Sequence, residues 1–237
     1  MTRRRWIADE VTNDRAALVG AHAAHLSRTL RAYLGQEFEV AYGDVVRRAV
    51  VVSVDDDRVE FELGEAIAAS VTAPITLLLA VFKFDRMEWA IEKCTELNAT
   101  SIVPVIARRT EKQLAQAAEK RVERWRRIAR EASEQARRVT PPAIGGPVKL
   151  DVALRTFADL RIALAEAERE VRLAEILRGH EGTSSLGLAI GPEGGWTRDE
   201  LQLFGQAGWA PASLGATILR AETAAIAAVA VARSIMM

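Results

Sequence analysis

Two short segments concentrate residues suited to holding a small ligand. The first is Gly191-Pro192-Glu193-Gly194-Gly195-Trp196-Thr197, set between an apolar run and the start of a helix. Glycines in such a place let the backbone approach a ligand closely and leave N–H groups to bind it. Three glycines, a fixed proline and a glutamate in five residues exceed what a tight turn at a strand end requires. The second is Leu214-Gly215-Ala216-Thr217-Ile218-Leu219-Arg220-Ala221-Glu222-Thr223-Ala224. It places another strand-end glycine ahead of Arg220 and Glu222, in one turn of a helix made mostly of Ala, Ile and Val. Alone, that pair reads equally well as a capped core helix. Beside the first loop, Arg220 and Glu222 become candidates for a ligand site, against the reading in which they only pair with each other.

Other chemistries lack their signatures. There is no Gly-x-Gly-x-x-Gly for a dinucleotide and no Walker loop for nucleotide hydrolysis. His22, His25 and His180 lack metal-ligand spacing, so no metal site is expected. Cys94 is the single cysteine, which excludes an internal disulfide, and it falls on an apolar helix face as a packing residue.

Charge is the third signal. The 237 residues carry 32 basic and 32 acidic side chains, yet from Arg108 to Arg138 eleven basic residues meet five acidic ones, a local excess of six. Local charge, more than the sum, decides whether a polyanion is attracted. The stretch reads as an RNA-facing surface or as a solvated helix face. Arg3, Arg4 and Arg5 would extend such a footprint.

The elements that must position these residues fall into two parts. Residues 1–70 read mainly as short strands, Gln36–Tyr42, Val45–Val54 and Arg58–Leu63, preceded by a short helix over Ala21–Arg31. A small, polar stretch ending at Pro74 marks the boundary. Residues 71–237 then alternate strand and helix. Strands are expected over Ile75–Phe82, Ser101–Ala107, Leu160–Ala165, Leu186–Ile190 and Ala212–Leu214. Asp85 with Glu88, and Thr110 with Gln113, have the spacing of capping boxes. After Thr110 the apolar residues Leu114, Ala118, Val122, Trp125, Ala129, Ala132 and Ala136 step by three and four, predicting one long helix that Pro141-Pro142 ends. Thr197 with Glu200 starts another. Such alternation predicts an α/β fold with a parallel sheet covered on both faces. No apolar run reaches the roughly 20 residues of a membrane span, and no apolar core follows Arg3–Arg5 as in a secretory signal, so a cytoplasmic protein is expected.

The two glycine-bearing segments, together with Lys83-x-Asp85-Arg86-Met87-Glu88, Lys93 and Glu96-Leu97, resemble the RsmE family of small-subunit ribosomal RNA uridine-N3 methyltransferases, in the SPOUT superfamily. The stretch His25-Leu26-x-Arg28-x-Leu30-Arg31 resembles that family's PUA-like RNA-binding domain. The resemblance spans nearly the whole chain. It implies a PUA-like β-barrel over 1–70, a SPOUT domain with a deep trefoil knot over 71–237, and a homodimer. It also implies methyl transfer from S-adenosylmethionine to uracil N3 in 16S rRNA. The donor would lie against Gly191, Pro192, Glu193, Gly194, Gly195, Leu214, Gly215, Ile218 and Leu219, with a third loop at Leu164, Ala165 and Glu166. Arg138, matching an arginine of the family's Glu-Gln-x-x-Arg stretch, would join Arg220 and Glu222 as a catalytic candidate, reaching a site completed across the dimer interface. RNA contacts would come from Arg3, Arg4, Arg5, Arg28, Arg31, Lys83, Arg86 and Lys93. Two other readings remain at this stage: a non-catalytic RNA-binding assembly factor, which has no need of the glycine loops, and an enzyme of the same superfamily acting on another RNA base.

Overall fold

The computed structural model describes residues 5–43, 45–67, 72–166, 168, 170–180 and 182–236. The chain separates into two compact units, Met1–Val71 with Arg130–Pro141, and Thr72–Ala129 with Pro142–Met237.

The first unit holds β1 (Arg5–Ile7), β2 (Glu10–Thr12), β3 (Arg15–Val19), the short helix α1 (Ala21–Ala24) running into a π-helical turn at His25–Thr29, then β4 (Glu37–Tyr42), β5 (Val45–Val54) and β6 (Arg58–Ile67). They make a six-stranded half-barrel sheet in the order β1-β4-β5-β6-β3-β2, antiparallel except where β1 meets β4. Alternation along the strands sends Phe38, Val40, Ala49, Val51, Val59, Phe61 and Leu63 into one core. The helix expected to reach Arg31 stops at Thr29, and Arg31 adopts a left-handed φ of 53° that turns the chain toward β4.

Residues 130–141 complete this unit, which a linear division at residue 70 omits. Arg130 lies 2.8 Å from the Asp9 carboxylate and donates to the Ile7 carbonyl at 2.6 Å. Arg5 donates to the Arg137 carbonyl, and Val139 packs against Ile7, Ala41 and Val46. Asp9 also accepts from the Val19 N–H at 2.9 Å and meets His22 Nδ1 at 3.2 Å. Burial pushes the Asp9 carboxyl up, but these hydrogen bonds and the nearby cations outweigh it and hold the group below the ordinary carboxylate range.

The second unit continues with β7 (Ile75–Ala80), α2 (Phe84–Glu96), β8 (Ser101–Ile106), α3 (Lys112–Ala117), α4 (Val122–Gln135, whose last turns belong to the first unit), β9 (Ala143–Ile144), β10 (Val148–Lys149), α5 (Leu150–Ala153), β11 (Leu160–Leu164), α6 (Leu173–Arg178), β12 (Leu186–Ile190), α7 (Arg198–Gln206), β13 (Ala210–Ala212) and α8 (Ala221–Ile235). Every strand pair is parallel, in the order β10-β8-β7-β12-β11-β13, with β9 also beside β8. Along β7, Ile75, Leu77 and Leu79 face a core shared with α2, α4, α6 and α8, while Leu78 and Ala80 face one shared with α5 and α7. The sheet is therefore covered on both sides, as an all-parallel sheet requires.

Local differences have local causes. Lys83, without a side-chain cap, precedes α2, so Asp85 stands inside the first turn and is not the cap. The single helix expected after Thr110 is broken by a 3-10 turn at Ala118–Arg121. Thr110 is not its cap: its hydroxyl accepts from Ala107 N–H at 3.1 Å and donates to the Val81 carbonyl at 3.2 Å, closing the loop after β8. Thr197 does cap α7, accepting from Glu200 N–H at 3.3 Å while the Glu200 carboxylate takes Thr197 N–H at 2.8 Å. Asn98 closes α2 in a left-handed conformation, φ 66°. Cys94 is fully buried, and burial pushes its thiol up to about 12, which suits packing and not nucleophilic attack. No helix among the described residues is long and apolar enough to cross a membrane.

Candidate functional site

Three neighbouring strands of the second unit, β12, β11 and β13, end on one cavity of about 350 Å³. Ligands in open parallel sheets lie outside the carboxyl ends of strands, and this cavity has that position. Its wall is built from the segments that leave the three strands. Leu164, Ala165 and Glu166 come from the end of β11, Gly191, Pro192, Glu193, Gly195 and Trp196 from the loop after β12, and Leu214–Leu219 from the loop after β13. Ala221 and Ala224 add the first turn of α8. Eleven of the twelve residues expected at the donor thus converge.

The exception is Gly194. Its carbonyl accepts from Arg109 Nη1 at 2.5 Å, and a Cβ placed on it would meet the Arg109 side chain at 3.2 Å. It serves the loop's attachment and not the cavity wall. Gly191 and Gly195 have stricter backbone needs. A Cβ on Gly191 would lie 3.3 Å from the Gly195 and Trp196 main chain, and Gly195 has φ +68°. Gly191 thus lets the loop fold back on its own main chain, and Gly195 supplies a left-handed turn.

Two wall residues gave no sequence signal, and Glu200, which is not in the wall, gave a weak one. Arg172 lines the cavity, its main chain bridged to Ser213 and its guanidinium 3.3 Å from where a Cβ on Gly215 would lie. Glu168 also lines it, accepting from the N–H groups of Glu170 and Val171 at 2.8 and 3.0 Å. Glu200, 3% exposed, reaches the Arg108 N–H at 2.8 Å and so joins the loop after β8 to the start of α7. That residue was visible only as half of a capping box.

The candidate catalytic residues are arranged differently from the expectation. Glu222 does not pair with Arg220. It is 3% exposed, and Glu222 Oε1 lies 3.8 Å from Arg86 Nε. Arg220 is exposed at the start of α8, between Leu219 and Ala221 of the cavity wall. Arg138 belongs to the first unit and is 9% exposed.

Of the expected RNA contacts, Arg3 and Arg4 lie outside the described residues. Arg5 pairs with Glu39 at 2.8 Å, Arg28 with Asp56 at 2.9 Å, Arg86 with Glu193 at 2.8 Å, and Lys93 with Glu92 and Glu96 at 2.8 and 2.7 Å. Lys83 is exposed ahead of α2. Part of the basic stretch is also engaged: Arg124 reaches Glu88 at 2.7 Å, Arg126 reaches Glu123 at 2.6 Å, and Arg121 lies over the Phe84 ring at 4.7 Å. No group of three or more His, Cys, Asp or Glu among the described residues could hold a metal ion.

A doubly covered parallel sheet with a backbone-lined cavity at three strand ends defines a small-ligand enzyme domain, and residues 70–233 match the RNA methyltransferase domain family. Two relatives are similar over nearly the whole chain. Ribosomal RNA small subunit methyltransferase E of Synechocystis sp. is 31% identical over 94% of this chain and 74% of its own length. The protein of the same name from Rickettsia conorii is 31% identical over 93% of this chain and 90% of its own. The chain belongs to this family of ribosomal RNA small subunit methyltransferases E. Solved structures agree. A ribosomal RNA small subunit methyltransferase E from Neisseria gonorrhoeae, bound to S-adenosyl methionine, superposes with a TM-score of 0.87 at 28% identity, over 98% of both chains. A Legionella pneumophila protein in complex with its bound cofactor SAM gives 0.86 at 26% identity, over 99% of this chain and 98% of that one.

Proposed function

We propose that this protein is an S-adenosylmethionine-dependent methyltransferase acting on uracil N3 of one uridine in 16S rRNA of the small ribosomal subunit. The observation that carries the reading is the convergence of three strand-end loops on one cavity in a chain of this family. The residues fit the donor. The space beside Gly195 is open, with the Glu166 carboxylate 3.9 Å from where a Cβ would stand, and the Leu214–Leu219 N–H groups have no main-chain partner among the described residues, so they are available to a ligand. We assign the donor to Leu164, Ala165, Glu166, Gly191, Pro192, Glu193, Gly195, Leu214, Gly215, Ile218 and Leu219, with Gly194 holding the loop.

When bound, S-adenosylmethionine supplies an electrophilic methyl group. The chain must handle the proton on N3, because N3 is a poor nucleophile until that proton leaves or is shared. It must also reach a Watson–Crick edge, so the uracil has to be unpaired or flipped out. Arg220, beside the cavity wall and permanently charged, steadies the uracil anion; Arg138 is the second candidate for the same role. Arg5, Arg28, Arg31, Lys83, Arg86 and Lys93 are the proposed phosphate contacts. The reading extends to a PUA-like amino-terminal domain, a knotted carboxyl-terminal domain, a homodimer and a cytoplasmic location, supported by family membership.

The test is transfer of labelled methyl from S-adenosylmethionine to purified small subunits and to naked 16S rRNA, then mapping of the modified base. Label at uracil N3 of one uridine is expected. Donor binding without transfer to either substrate would favour an assembly factor, and label on another base would change the substrate.

A further inference from the structure

Two of the three segments that build the cavity wall are the loop after β12 and the stretch that runs from Leu214 into the first turn of α8. One side chain touches both. Arg86 stands in the first turn of α2, a helix that contributes nothing to the wall. Its Nη1 donates to Glu193 Oε1 at 2.8 Å, and its Nε lies 3.8 Å from Glu222 Oε1. Glu193 is itself a wall residue, while Glu222 sits between the wall residues Ala221 and Ala224. The burial of the two acids differs. The Glu193 side chain is 33% exposed, whereas that of Glu222 is 4% exposed and its Oε2 has no hydrogen-bond partner among the described residues. A buried carboxylate left without a cation is strongly unfavourable, so the Arg86 charge is needed where it stands.

We propose that Arg86 is a positioning residue for the methyl donor: its guanidinium ties the Gly191–Gly195 loop to the start of α8 and sets the width of the cavity between them. This rests on the donor-site reading above. It moves Arg86 from the phosphate contacts to the donor site's supporting framework. A planar fork of donors suits the task, because it can serve two carboxylates from different directions, as a lysine ammonium on a flexible stem does less well.

The experiment measures S-adenosylmethionine affinity by calorimetry for the full chain and for Arg86→Ala, Arg86→Lys, Glu193→Gln and the Arg86→Ala/Glu193→Gln double variant. RNA affinity is measured against salt for the same set. For Arg86→Ala we expect at least a tenfold loss of donor affinity, appearing as a raised donor KM with kcat at saturating donor changed by less than about threefold. Arg86→Lys should recover part of that loss. The double variant should bind the donor no worse than Arg86→Ala alone, as expected for partners in one interaction. Unchanged donor affinity in Arg86→Ala, with weaker RNA binding and a salt slope reduced by about one, would overturn the proposal and restore Arg86 as a phosphate contact. Should Arg86→Ala fail to fold, Glu193→Gln decides, since unchanged donor affinity in that folded variant also overturns it. Failure of the wild type to bind donor would overturn the donor-site reading as well; wild-type binding with unaffected variants overturns this inference alone.

Discussion

The loop Gly191–Gly195 and the basic stretch Arg108–Arg138 both stand out in the sequence as chemistry, and the structure treats them differently. Four of the five loop residues line one cavity beside residues from two other strand ends. Several cations of the basic stretch are engaged within the protein: Arg109 on the Gly194 carbonyl, Arg124 on Glu88, Arg126 on Glu123, Arg130 on Asp9. The difference is one of physics. A glycine loop at a strand end works through backbone geometry, which is set locally. A charge works through its partner, and the partner is chosen by tertiary structure.

The largest effect that would sharpen this contrast lies in the basic helix but involves no charge. Trp125 is fully buried against the core that α2 and α8 share, within packing distance of Phe84. Trp125→Ala should lower unfolding stability by about 3–5 kcal/mol in denaturant titration. A loss below about 1 kcal/mol would mean that the apolar stripe is not what holds α4.

Next comes the loop. Gly195→Val forces a branched side chain onto φ +68° and should reduce donor affinity about a hundredfold, roughly 2.8 kcal/mol by calorimetry. Gly194→Ala meets only the flexible Arg109 side chain and should change affinity by less than about threefold, under roughly 0.7 kcal/mol. Equal effects at the two glycines would break the distinction between wall and attachment.

Third is the acid response of the engaged charges. The Asp9 carboxyl is held low in the folded state, so its contribution is present above its unfolded value near 3.9 and is lost as pH falls through the folded value. Asp9→Asn should therefore be less stable than wild type at pH 7, by on the order of 1 kcal/mol after solvent screening. The two stability curves should converge as pH falls through the lowered folded value of Asp9. A constant gap from pH 7 to pH 2 would show that the Asp9 charge is not responsible.

The smallest effect is expected at Arg124, whose side chain is 48% exposed beside Glu88. Arg124→Ala should cost less than about 1 kcal/mol, as exposed pairs do. A larger loss would show that the face is structural as well as charged.

The same contrast explains what the sequence made legible. The apolar runs at Ile75 and Leu186 and the Thr197 cap were readable because each depends on neighbours within a few residues. The cavity was half readable: strand-end glycines signalled two walls, while Arg172 and Glu168 on the third carry no local signature. The pairing of Glu222 was misread because Arg220 is near in sequence and Arg86 is near in space. Strands β1 to β3 are three to five residues long, and β2 is exposed throughout, so no hydrophobic alternation announced it.

The membership of Arg130–Pro141 in the first unit bears on the order of events at the ribosome that makes this protein. Synthesis proceeds from the amino terminus, and domains usually fold as they emerge. The half-barrel sheet of this chain is all synthesised by Ile67, but Asp9 meets Arg130, and Ile7 meets Val139, only once Arg130 and Val139 have been added far downstream. Until then the carboxylate of Asp9 lacks that cation, and the patch formed by Ile7, Ala41 and Val46 lacks that cover. The first unit to begin therefore lacks its completing segment until β7, α2 and β8 have been made.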